Sequence, residues 1–263
     1  MKKRLVSLLA LVMLVSVFTG CGKKDDENTF TVGFDAEFPP YGYMDENGDY
    51  TGFDLDLAEE VCKRQGWKLV KQPIDWNSKD MELESGNIDC IWNGFTMNGR
   101  EDLYEWTAAY VNNSQVFVVA SDAGIASKAD LAGKVVGVQA DSSALAALND
   151  EEAAENIALR DSFGELMEFS DYTTAFMELE MGTIDAVAMD IGVAKVQMAA
   201  KAEGAFVILD EYLSAEQYGV GFLLGNTELR DKVEKTLMEM VEDGTFAKIA
   251  AEYDLTDSIC LGQ

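Results

Sequence analysis

One nine-residue segment occurs twice in this sequence. Met81-Glu82-Leu83-Glu84-Ser85-Gly86-Asn87-Ile88-Asp89 returns 96 residues later as Met177-Glu178-Leu179-Glu180-Met181-Gly182-Thr183-Ile184-Asp185, and seven of the nine residues are identical. In each copy a glycine follows the helical part, and glycine accepts the left-handed conformation that ends many helices. An apolar strand then follows. The repeat predicts two lobes of related α/β topology, since two copies at this spacing do not make a solenoid.

The segments around the repeat predict strands and helices in alternation. Residues 30–34 and 134–138 have the pattern of apolar strands that open the two lobes. Asn47-Gly48 predicts a hairpin turn, because both residues accept positive φ. Residues 54–65 carry an apolar helical stripe, with Asp54 as the predicted N-cap. Strands that alternate with helices indicate an α/β fold in which each lobe is a mostly parallel sheet flanked by helices.

The composition excludes several classes of function. The chain has 263 residues, 48 acidic and 20 basic side chains, no histidine and a formal charge of −28. Without histidine it cannot form a Ser-His-Asp triad, a Cys-His pair or a His-ligated zinc site. So acidic a chain is repelled by phosphate backbones, which argues against nucleic-acid binding. The hydrophobic fraction of 48% is that of a folded protein with a sizeable core.

The first twenty residues have the pattern of an export signal. Lys2, Lys3 and Arg4 precede an uncharged apolar run over 5–18, which is too short for a stable membrane span. The sequence that follows, Phe18-Thr19-Gly20-Cys21, resembles the lipobox of bacterial lipoproteins. We therefore expect a lipoprotein signal peptide over 1–20, a lipid on Cys21 and a polar tether over 21–28. The alternative is an ordinary signal peptide in which Cys21 has no role.

Three cysteines remain once Cys21 is assigned to lipid. An odd number does not suggest a disulfide framework. Cys62 lies on an apolar helix face and Cys90 in an apolar strand, where a thiol behaves as a small hydrophobic group. We expect both to be core residues, with a Cys62–Cys90 bridge left open as the alternative.

The two repeated strands also predict where a ligand would bind. In open α/β sheets, ligands bind beyond the carboxyl ends of strands, where the strand order reverses. After the first repeated strand come Asn93, Gly94, Thr96 and, a little later, Arg100, and after the second comes Asp190. One lobe thus offers a cation and the other an anion. This pair matches the carboxylate and ammonium of a free amino acid, provided that the lobes face each other.

Several segments resemble one known family. Residues 52–62 (Gly-Phe-Asp-Leu-Asp-Leu-Ala-Glu-Glu-Val-Cys), 35–41 and 217–222 are similar, in the same order, to the bacterial extracellular solute-binding proteins of amino-acid ABC transporters, family 3. The resemblance covers nearly the whole chain after the signal. It implies a two-lobed clamshell of the periplasmic-binding-protein type II, in which the chain crosses between the lobes twice.

The resemblance also implies lobe boundaries and a set of site residues. Lobe 1 would comprise residues 29–112 plus 217–263, and lobe 2 residues 113–216. The implied ligand-binding residues are Asp35, Phe38, Trp76, Asn93, Gly94, Thr96, Arg100, Ser142, Ser143 and Asp190.

By this resemblance, Arg100 takes the α-carboxylate of the ligand and Asp190 its ammonium group. Ser142 and Ser143 supply hydroxyl groups at the start of a lobe 2 helix, where they would also serve as N-caps. Arg100 comes four residues after Thr96, one fewer than the family usually has. Its alternative role is a surface arginine that pairs with the neighbouring acidic side chains.

The remaining site residues point to the class of ligand. Phe38 and Trp76 match the aromatic walls around the ligand side chain, although each could instead fill the core. Asp35 could accept a hydrogen bond from a polar or cationic side chain. Arg100 is the only basic residue carried over, which argues against glutamate and aspartate as ligands. We expect arginine or lysine first, then glutamine or histidine.

The resemblance finally implies how the protein works. A monomer without cofactor or metal would capture the amino acid and deliver it to an ABC transporter permease, while anchored by its lipid to the outer face of the bacterial cell membrane. We expect no enzymatic activity. The alternatives are a lyase of the cyclohexadienyl dehydratase type on the same fold and a ligand-sensing partner of a membrane receptor.

Overall fold

The computed structural model describes residues 28–263. The predicted signal peptide, Cys21 and nearly all of the tether lie outside the described residues. The strands, in chain order, are β1 (Thr29–Phe34), β2 (Glu37–Phe38), β3 (Gly42–Met44), β4 (Tyr50–Thr51), β5 (Lys68–Pro73), β6 (Cys90–Ile91), β7 (Tyr104–Trp106), β8 (Val111–Ala120), β9 (Val135–Gln139), β10 (Glu165–Phe169), β11 (Ala186–Asp190), β12 (Phe206–Ile208), β13 (Ser214–Tyr218) and β14 (Gly221–Leu223). The helices are α1 (Phe53–Gln65), α2 (Lys79–Glu84), α3 (Ser143–Leu148), α4 (Ala154–Ser162), α5 (Tyr172–Glu180), α6 (Ile191–Ala199), α7 (Thr227–Glu242) and α8 (Thr245–Glu252).

Two mixed sheets form the centres of two lobes. The lobe 1 sheet has the order β5-β1-β6-β14-β7, and the lobe 2 sheet has the order β10-β9-β11-β8-β12, with β13 also paired to β8. In lobe 1, β1 pairs in parallel with β5 and β6. In lobe 2, β9 pairs in parallel with β10 and β11. The α/β class and the two related lobes expected from the repeat are confirmed.

The antiparallel pairings lie on the side of each sheet where the chain passes between lobes. β14 pairs antiparallel with β6 and β7 in lobe 1. In lobe 2, β8 pairs antiparallel with β11, β12 and β13. The sheets are therefore mixed rather than mostly parallel, because strands that join the lobes approach each sheet from the opposite direction. The chain leaves the first sheet after Trp106 and returns to it at Gly221. The residue boundaries proposed for the lobes stay a prediction.

The two copies of the repeat adopt the same conformation. Gly86 and Gly182, which follow α2 and α5, both have φ of 72°. In the first copy, the amide nitrogen of Thr31 donates to Asp89 Oδ2 at 2.6 Å. In the second copy, the amide nitrogen of Val135 donates to Asp185 Oδ2 at 2.8 Å. Each copy thus connects a helix end to the first strand of its own sheet.

The apolar residue of each copy fills the space beside a glycine of the central strand. Ile88 lies where a side chain on Gly33 would stand, and Ile184 lies where a side chain on Gly137 would stand. Both isoleucines are 2% exposed. The close approach of helix, loop and strand explains why glycine occupies the same position in β1 and β9.

Two local predictions need correction. The N-cap of α1 is Gly52, and Asp54 instead lies inside the first turn, fully buried. Its Oδ2 accepts hydrogen bonds from the amide of Gly94 at 2.5 Å and from the hydroxyl of Tyr110 at 2.9 Å. In the β3–β4 hairpin only Gly48 has positive φ, because the Asp45 carboxylate stabilises the turn by accepting backbone amides.

The cysteines of the described residues are all free thiols. Cys62 and Cys90 are buried free thiols, as core residues would be, and Cys260 is a half-buried free thiol. Within residues 28–263, no helix combines the length and the apolar composition of a membrane span. In the same part of the chain, no group of three or more acidic or cysteine side chains is arranged to hold a metal ion.

Candidate amino-acid site between the lobes

The strands at the centre of each sheet end at one cleft between the lobes. Their carboxyl ends supply a cavity of about 20 Å³, lined by Phe38, Trp76, Gly94, Thr96, Arg100, Gln139, Ser142, Ser143 and Asp190. Eight of these nine belong to the ten residues predicted from sequence. Two larger cavities adjoin it: one of about 320 Å³ shares Trp76, and one of about 510 Å³ shares Thr96, Arg100 and Ser143. The central cavity therefore has a neighbouring cavity at Trp76 and another at Thr96, Arg100 and Ser143.

Arg100 provides the positive charge of the lobe 1 wall. Its Nη1 donates to the backbone oxygen of Thr96 at 3.1 Å, and its guanidinium lies 5.3 Å from the centre of the Phe95 ring. The Trp106 indole donates to the backbone oxygen of Arg100 at 3.0 Å. Within residues 28–263, the guanidinium forms no ion pair of 4.0 Å or less, so the alternative pairing with neighbouring acidic side chains is not seen. Arg100 is held in place by neutral groups and keeps its charge available to the cavity.

Asp190 provides a negative charge on the lobe 2 wall. It is the last residue of β11 and is 3% exposed. Its Oδ1 accepts hydrogen bonds from Asn113 Nδ2 at 2.8 Å and from the hydroxyl of Tyr218. Burial raises the pKa of this carboxyl well above its usual value, and the charge of Glu216 raises it further. A cation brought to Asp190 would therefore stabilise its ionised form.

The two serines lie beside Asp190 at the start of α3. Ser142 is the N-cap, and its hydroxyl oxygen accepts the amide of Leu145 at 3.2 Å. Ser143 accepts a hydrogen bond from Gln115 Nε2 at 2.8 Å. Both hydroxyl groups still face the cavity and keep a proton to donate.

Aromatic side chains form the apolar part of the wall. Phe38 and Trp76 are both largely buried and both line the cavity. Trp76 packs edge-on against Phe95, with ring centres 5.5 Å apart. Phe38 lies 6.0 Å from the ring of Tyr172, which belongs to lobe 2. The aromatic wall is thus supported from both lobes.

Gly94 has a backbone conformation and a position that exclude a side chain. Its φ is 56°, and a Cβ there would stand 2.9 Å from the ring of Phe38 and 3.0 Å from the ring of Tyr218. Its amide is held by Asp54, as described above. The glycine lets the main chain approach the cavity between these rings.

Asp35 and Asn93 do not line the central cavity, and their contact with the ligand stays a prediction. Asp35 lines the adjoining 320 Å³ cavity, and its Oδ2 accepts from Gln139 Nε2 at 2.7 Å. Gln139 reaches the central cavity in its place. Asn93 is 1% exposed and packs against Gly42, because the turn after β6 directs it into lobe 1.

The cavity beside Asp35 is strongly acidic. Its charged lining residues are Asp35, Glu37, Asp75 and Asp171, and none of its lining residues is basic. Burial raises the pKa of Asp35 to about 6, and the charges of Asp171 and Glu37 act in the same direction. A cationic group placed here would relieve this repulsion.

Direct contacts hold the lobes together across the cleft. Lys79 of lobe 1, which is 2% exposed, forms an ion pair with Asp141 of lobe 2. The ammonium group of Lys79 also lies 5.2 Å from the centre of the Trp76 ring. The Asp35–Gln139 hydrogen bond joins the same two lobes. The arrangement is therefore a closed one.

Sequence reasoning missed two residues of the site. Gln139 ends β9 in Val136-Gly137-Val138-Gln139, which has the same place in lobe 2 as Val32-Gly33-Phe34-Asp35 in lobe 1, so the second copy of this pattern could have found it. Glu216 is 6% exposed and lies beside Asp190 on β13. No local pattern marks it, because its neighbours come from strands distant in sequence.

Known proteins share this architecture. The sequence model of the bacterial extracellular solute-binding proteins, family 3, matches residues 30–256. The L-cystine-binding protein TcyJ of Escherichia coli is 26% identical over 234 residues, which cover 88% of this chain and 84% of that protein. The arginine-binding extracellular protein ArtP of Bacillus subtilis is 28% identical over 262 residues, which cover 96% and 98%.

A solved structure matches the whole two-lobed arrangement. It is the substrate-binding protein of an ABC uptake transporter from Streptococcus pneumoniae with bound histidine. It superposes with a TM-score of 0.81 and 30% identity, covering 86% of this chain and 92% of that one. The fold is thus that of the type II periplasmic amino-acid-binding proteins.

Proposed function

The chain belongs to family 3 of the bacterial extracellular solute-binding proteins, and on that premise we propose that it captures a free polar L-amino acid outside the cell. The observation that carries the proposal is the pair formed by Arg100 and Asp190. They come from opposite lobes, have opposite charges and line one cavity. An α-carboxylate on Arg100 and an α-ammonium on Asp190 would pair both charges of a zwitterion at once.

We expect the ligand to be a polar amino acid whose side chain donates hydrogen bonds, arginine or lysine first, then glutamine or histidine. A side chain that leaves the central cavity past Trp76 enters the adjoining cavity with its four carboxylates. A guanidinium or ammonium group is favoured there, whereas a carboxylate would be repelled. The relatives named above bind cystine, arginine or histidine, which leaves the side chain to be decided by this chain's own acidic cavity.

Capture requires the lobes to move apart and close again. The central cavity is about the size of one water molecule, so an amino acid enters only when the cleft opens. On closure, the ligand joins the lobe 1 wall with Arg100 to the lobe 2 wall with Asp190. The ligand selects the closed state because only there are both of its charges paired. The Lys79–Asp141 ion pair supports the same state.

The closed protein would deliver its ligand to an ABC transporter permease while tethered through a lipid on Cys21. This part of the proposal rests on the family and on the sequence of residues 1–28. Replacing Cys21→Ser should release the protein from the membrane fraction, and mass spectrometry of the parent should find an acylated N-terminal cysteine. Parent protein that stays soluble and carries no lipid would contradict the anchor.

A thermal-shift screen of the L-amino acids tests the capture. A ligand at about 100 times its Kd adds about 2.7 kcal/mol to the free energy of unfolding. We expect arginine or lysine to give the largest shift, and glutamate and aspartate to give none. The matched control is Arg160→Ala, which removes an arginine that pairs with its neighbour Asp161 outside the site. An acidic amino acid as the strongest responder would contradict the assigned ligand class, and no responder would contradict the function.

We propose binding without chemistry. The named relatives are binding proteins, and the two opposite charges of the site suit retention of an unchanged amino acid. Incubation with prephenate or arogenate should give no product, and turnover of either would instead favour the lyase alternative.

A further inference from the structure

A second buried carboxylate lies beside the ammonium-binding aspartate. Glu216 is 6% exposed and Asp190 is 3% exposed. Asn113 Nδ2 donates to Asp190 Oδ1 at 2.8 Å and to Glu216 Oε1 at 2.7 Å, so one amide nitrogen bridges the two groups. Gln115 Nε2 also donates to Glu216 Oε1, at 2.7 Å. The two carboxylates therefore form one hydrogen-bonded cluster on β8, β11 and β13.

The side chains that donate hydrogen bonds to this pair are neutral amides and a hydroxyl group. Within residues 28–263, neither carboxylate forms an ion pair of 4.0 Å or less. Three tyrosines face Asp190, namely Tyr41, Tyr172 and Tyr218. Asp150 and Glu152 line the cavity that contains Glu216. Arg100 lies on the wall opposite both carboxylates. Of the residues that line this cavity and the central cavity in the described part of the chain, Arg100 alone is basic, and the proposed function assigns it to the ligand's carboxylate.

Two buried carboxylates that share a donor do not easily ionise together. Each charge disfavours the other, and burial disfavours both. Asp190, buried beside a second carboxylate, therefore keeps its proton until a cation compensates its charge. The raised pKa of Asp190, caused by burial and then by Glu216, agrees with this geometry.

We propose that Glu216 acts with Asp190 as one carboxylate pair, in which Asp190 keeps its proton until the ligand's ammonium group displaces it. This inference rests on the proposed function and adds Glu216 to the residues that set affinity. On binding, the O–H bond of the protonated carboxyl breaks, its electrons stay on the oxygen, and the proton passes to solvent. The ammonium group then donates to the pair, with Asp190 ionised. Capture of the amino acid releases a proton.

Isothermal titration calorimetry in two buffers of different protonation enthalpy measures that proton directly. The probes are L-arginine and L-glutamine, titrated into the full chain between about pH 5 and about pH 8, below the titration of the ligands' own amino groups. For the parent, we expect the number of protons released to approach one toward the acidic end of this range. As the pH rises toward the point at which Asp190 of the free protein loses its proton, the affinity should rise by up to about tenfold for each pH unit.

Glu216→Gln separates this role from a structural one. Glutamine keeps an oxygen that accepts from Asn113 and Gln115, so the thermal unfolding midpoint should stay close to that of the parent. With one carboxylate removed, the proton release should fall clearly below the parent's value and the pH dependence of the affinity should flatten. A residue that only supports the fold would not change the proton count.

The variant Asp35→Asn shows which carboxyl group releases the proton. Asp35 also has a raised pKa, so it is the other source of a released proton near the cleft. Its variant should change the affinity for L-arginine but keep the proton release that depends on Glu216. Release that disappears in Asp35→Asn and persists in Glu216→Gln would overturn the proposal.

Failure of this inference can be distinguished from failure of the proposed function. Binding heat without proton exchange at every pH would overturn this inference and leave the proposed function intact. No binding heat with either amino acid would contradict the proposed function, and the inference with it.

Discussion

The two lobes of this protein are built from the same parts and differ at one decisive position. Val32 pairs with Cys90 in lobe 1 as Val136 pairs with Ala186 in lobe 2, so the central strands share one register. Four residues beyond these pairs, lobe 1 has Gly94 and lobe 2 has Asp190. The glycine lets the backbone approach the cleft, whereas the aspartate places a buried negative charge there.

This comparison separates the residues that make the fold from those that make the site. The repeat fixes the helix end, the turn and the buried isoleucine in both lobes, and the burial pattern of its nine residues is the same in the two copies. On the proposed function, the charges differ because each lobe binds a different end of the amino acid.

The largest expected effect comes from removing either charge. Arg100→Ala and Asp190→Ala should each weaken binding of L-arginine by about 2–5 kcal/mol, since the partner group of the ligand would be buried unpaired. That is a loss of roughly 30-fold to several thousand-fold in Kd, measurable by calorimetry. Arg160→Ala is the control that removes a basic residue of lobe 2 outside the cleft. If only one of the two site variants loses affinity, the account of two opposed half-sites is wrong.

Asp54 of lobe 1 should make the free energy of unfolding depend on pH. Burial raises the pKa of Asp54 from 3.8 to about 7. The unfolded chain loses this proton at lower pH than the folded protein does, so the free energy of unfolding should fall as the pH rises from about 4 to about 7. The contribution is about 1.4 kcal/mol for each unit by which the pKa is raised.

Urea unfolding of the parent and of Asp54→Asn over this pH range checks it. Asparagine cannot ionise, so the variant should lose less stability than the parent as the pH rises. Parallel curves would show that Asp54 has an ordinary pKa. In lobe 1 Asp54 binds the amide of Gly94, and Gly94 occupies the position that Asp190 has in lobe 2. The test therefore also compares a buried carboxyl group that supports the fold with one that faces the cleft.

Equal substitutions in the two copies of the repeat should have equal effects. Ile88→Val and Ile184→Val each remove one methylene group beside a strand glycine, and each should cost about 0.5–1.5 kcal/mol of unfolding free energy. The affinity for L-arginine should hardly change, because neither residue lines the site. A cost in one lobe only, measured by chemical unfolding, would break the equivalence of the two frameworks.

The smallest expected effect concerns the contact that joins the lobes. Lys79→Met removes the ion pair with Asp141 and keeps most of the volume of the buried side chain. Because Asp141 is half exposed and returns to water, the closed state should lose about 0.2–1 kcal/mol, seen as a weaker Kd for L-arginine. An unchanged Kd would mean that the ion pair forms equally in the open and closed states.

The two-lobed α/β framework could be predicted from the sequence because its signals are local. The helix end at Gly86, the turn and the strand that follows lie within nine consecutive residues, and the copy at Gly182 doubles the signal. The rule for strand ends then pointed to Asp190, which is the last residue of β11, whereas Arg100 lies in the loop well beyond the end of β6 and its role was assigned through the family resemblance.

The remaining differences arise where distant segments meet. A pattern gives the end of β6 but not which residue of the following turn faces the cleft, so Asn93 was expected in the cavity and lies inside lobe 1 instead. Asp54 has the sequence context of an N-cap, yet a contact to Gly94, forty residues away, buries it. Glu216 meets Asp190 only through the pairing of β13 with β8. Such contacts depend on the whole fold.

A crystal structure with the amino acid that gives the largest thermal shift tests the central claim most directly. The account predicts that the α-carboxylate of the ligand contacts the guanidinium of Arg100 and that its α-ammonium contacts the carboxylate of Asp190, with one lobe on either side. A ligand held by one lobe alone, or bound with its two charged ends away from these residues, would contradict it.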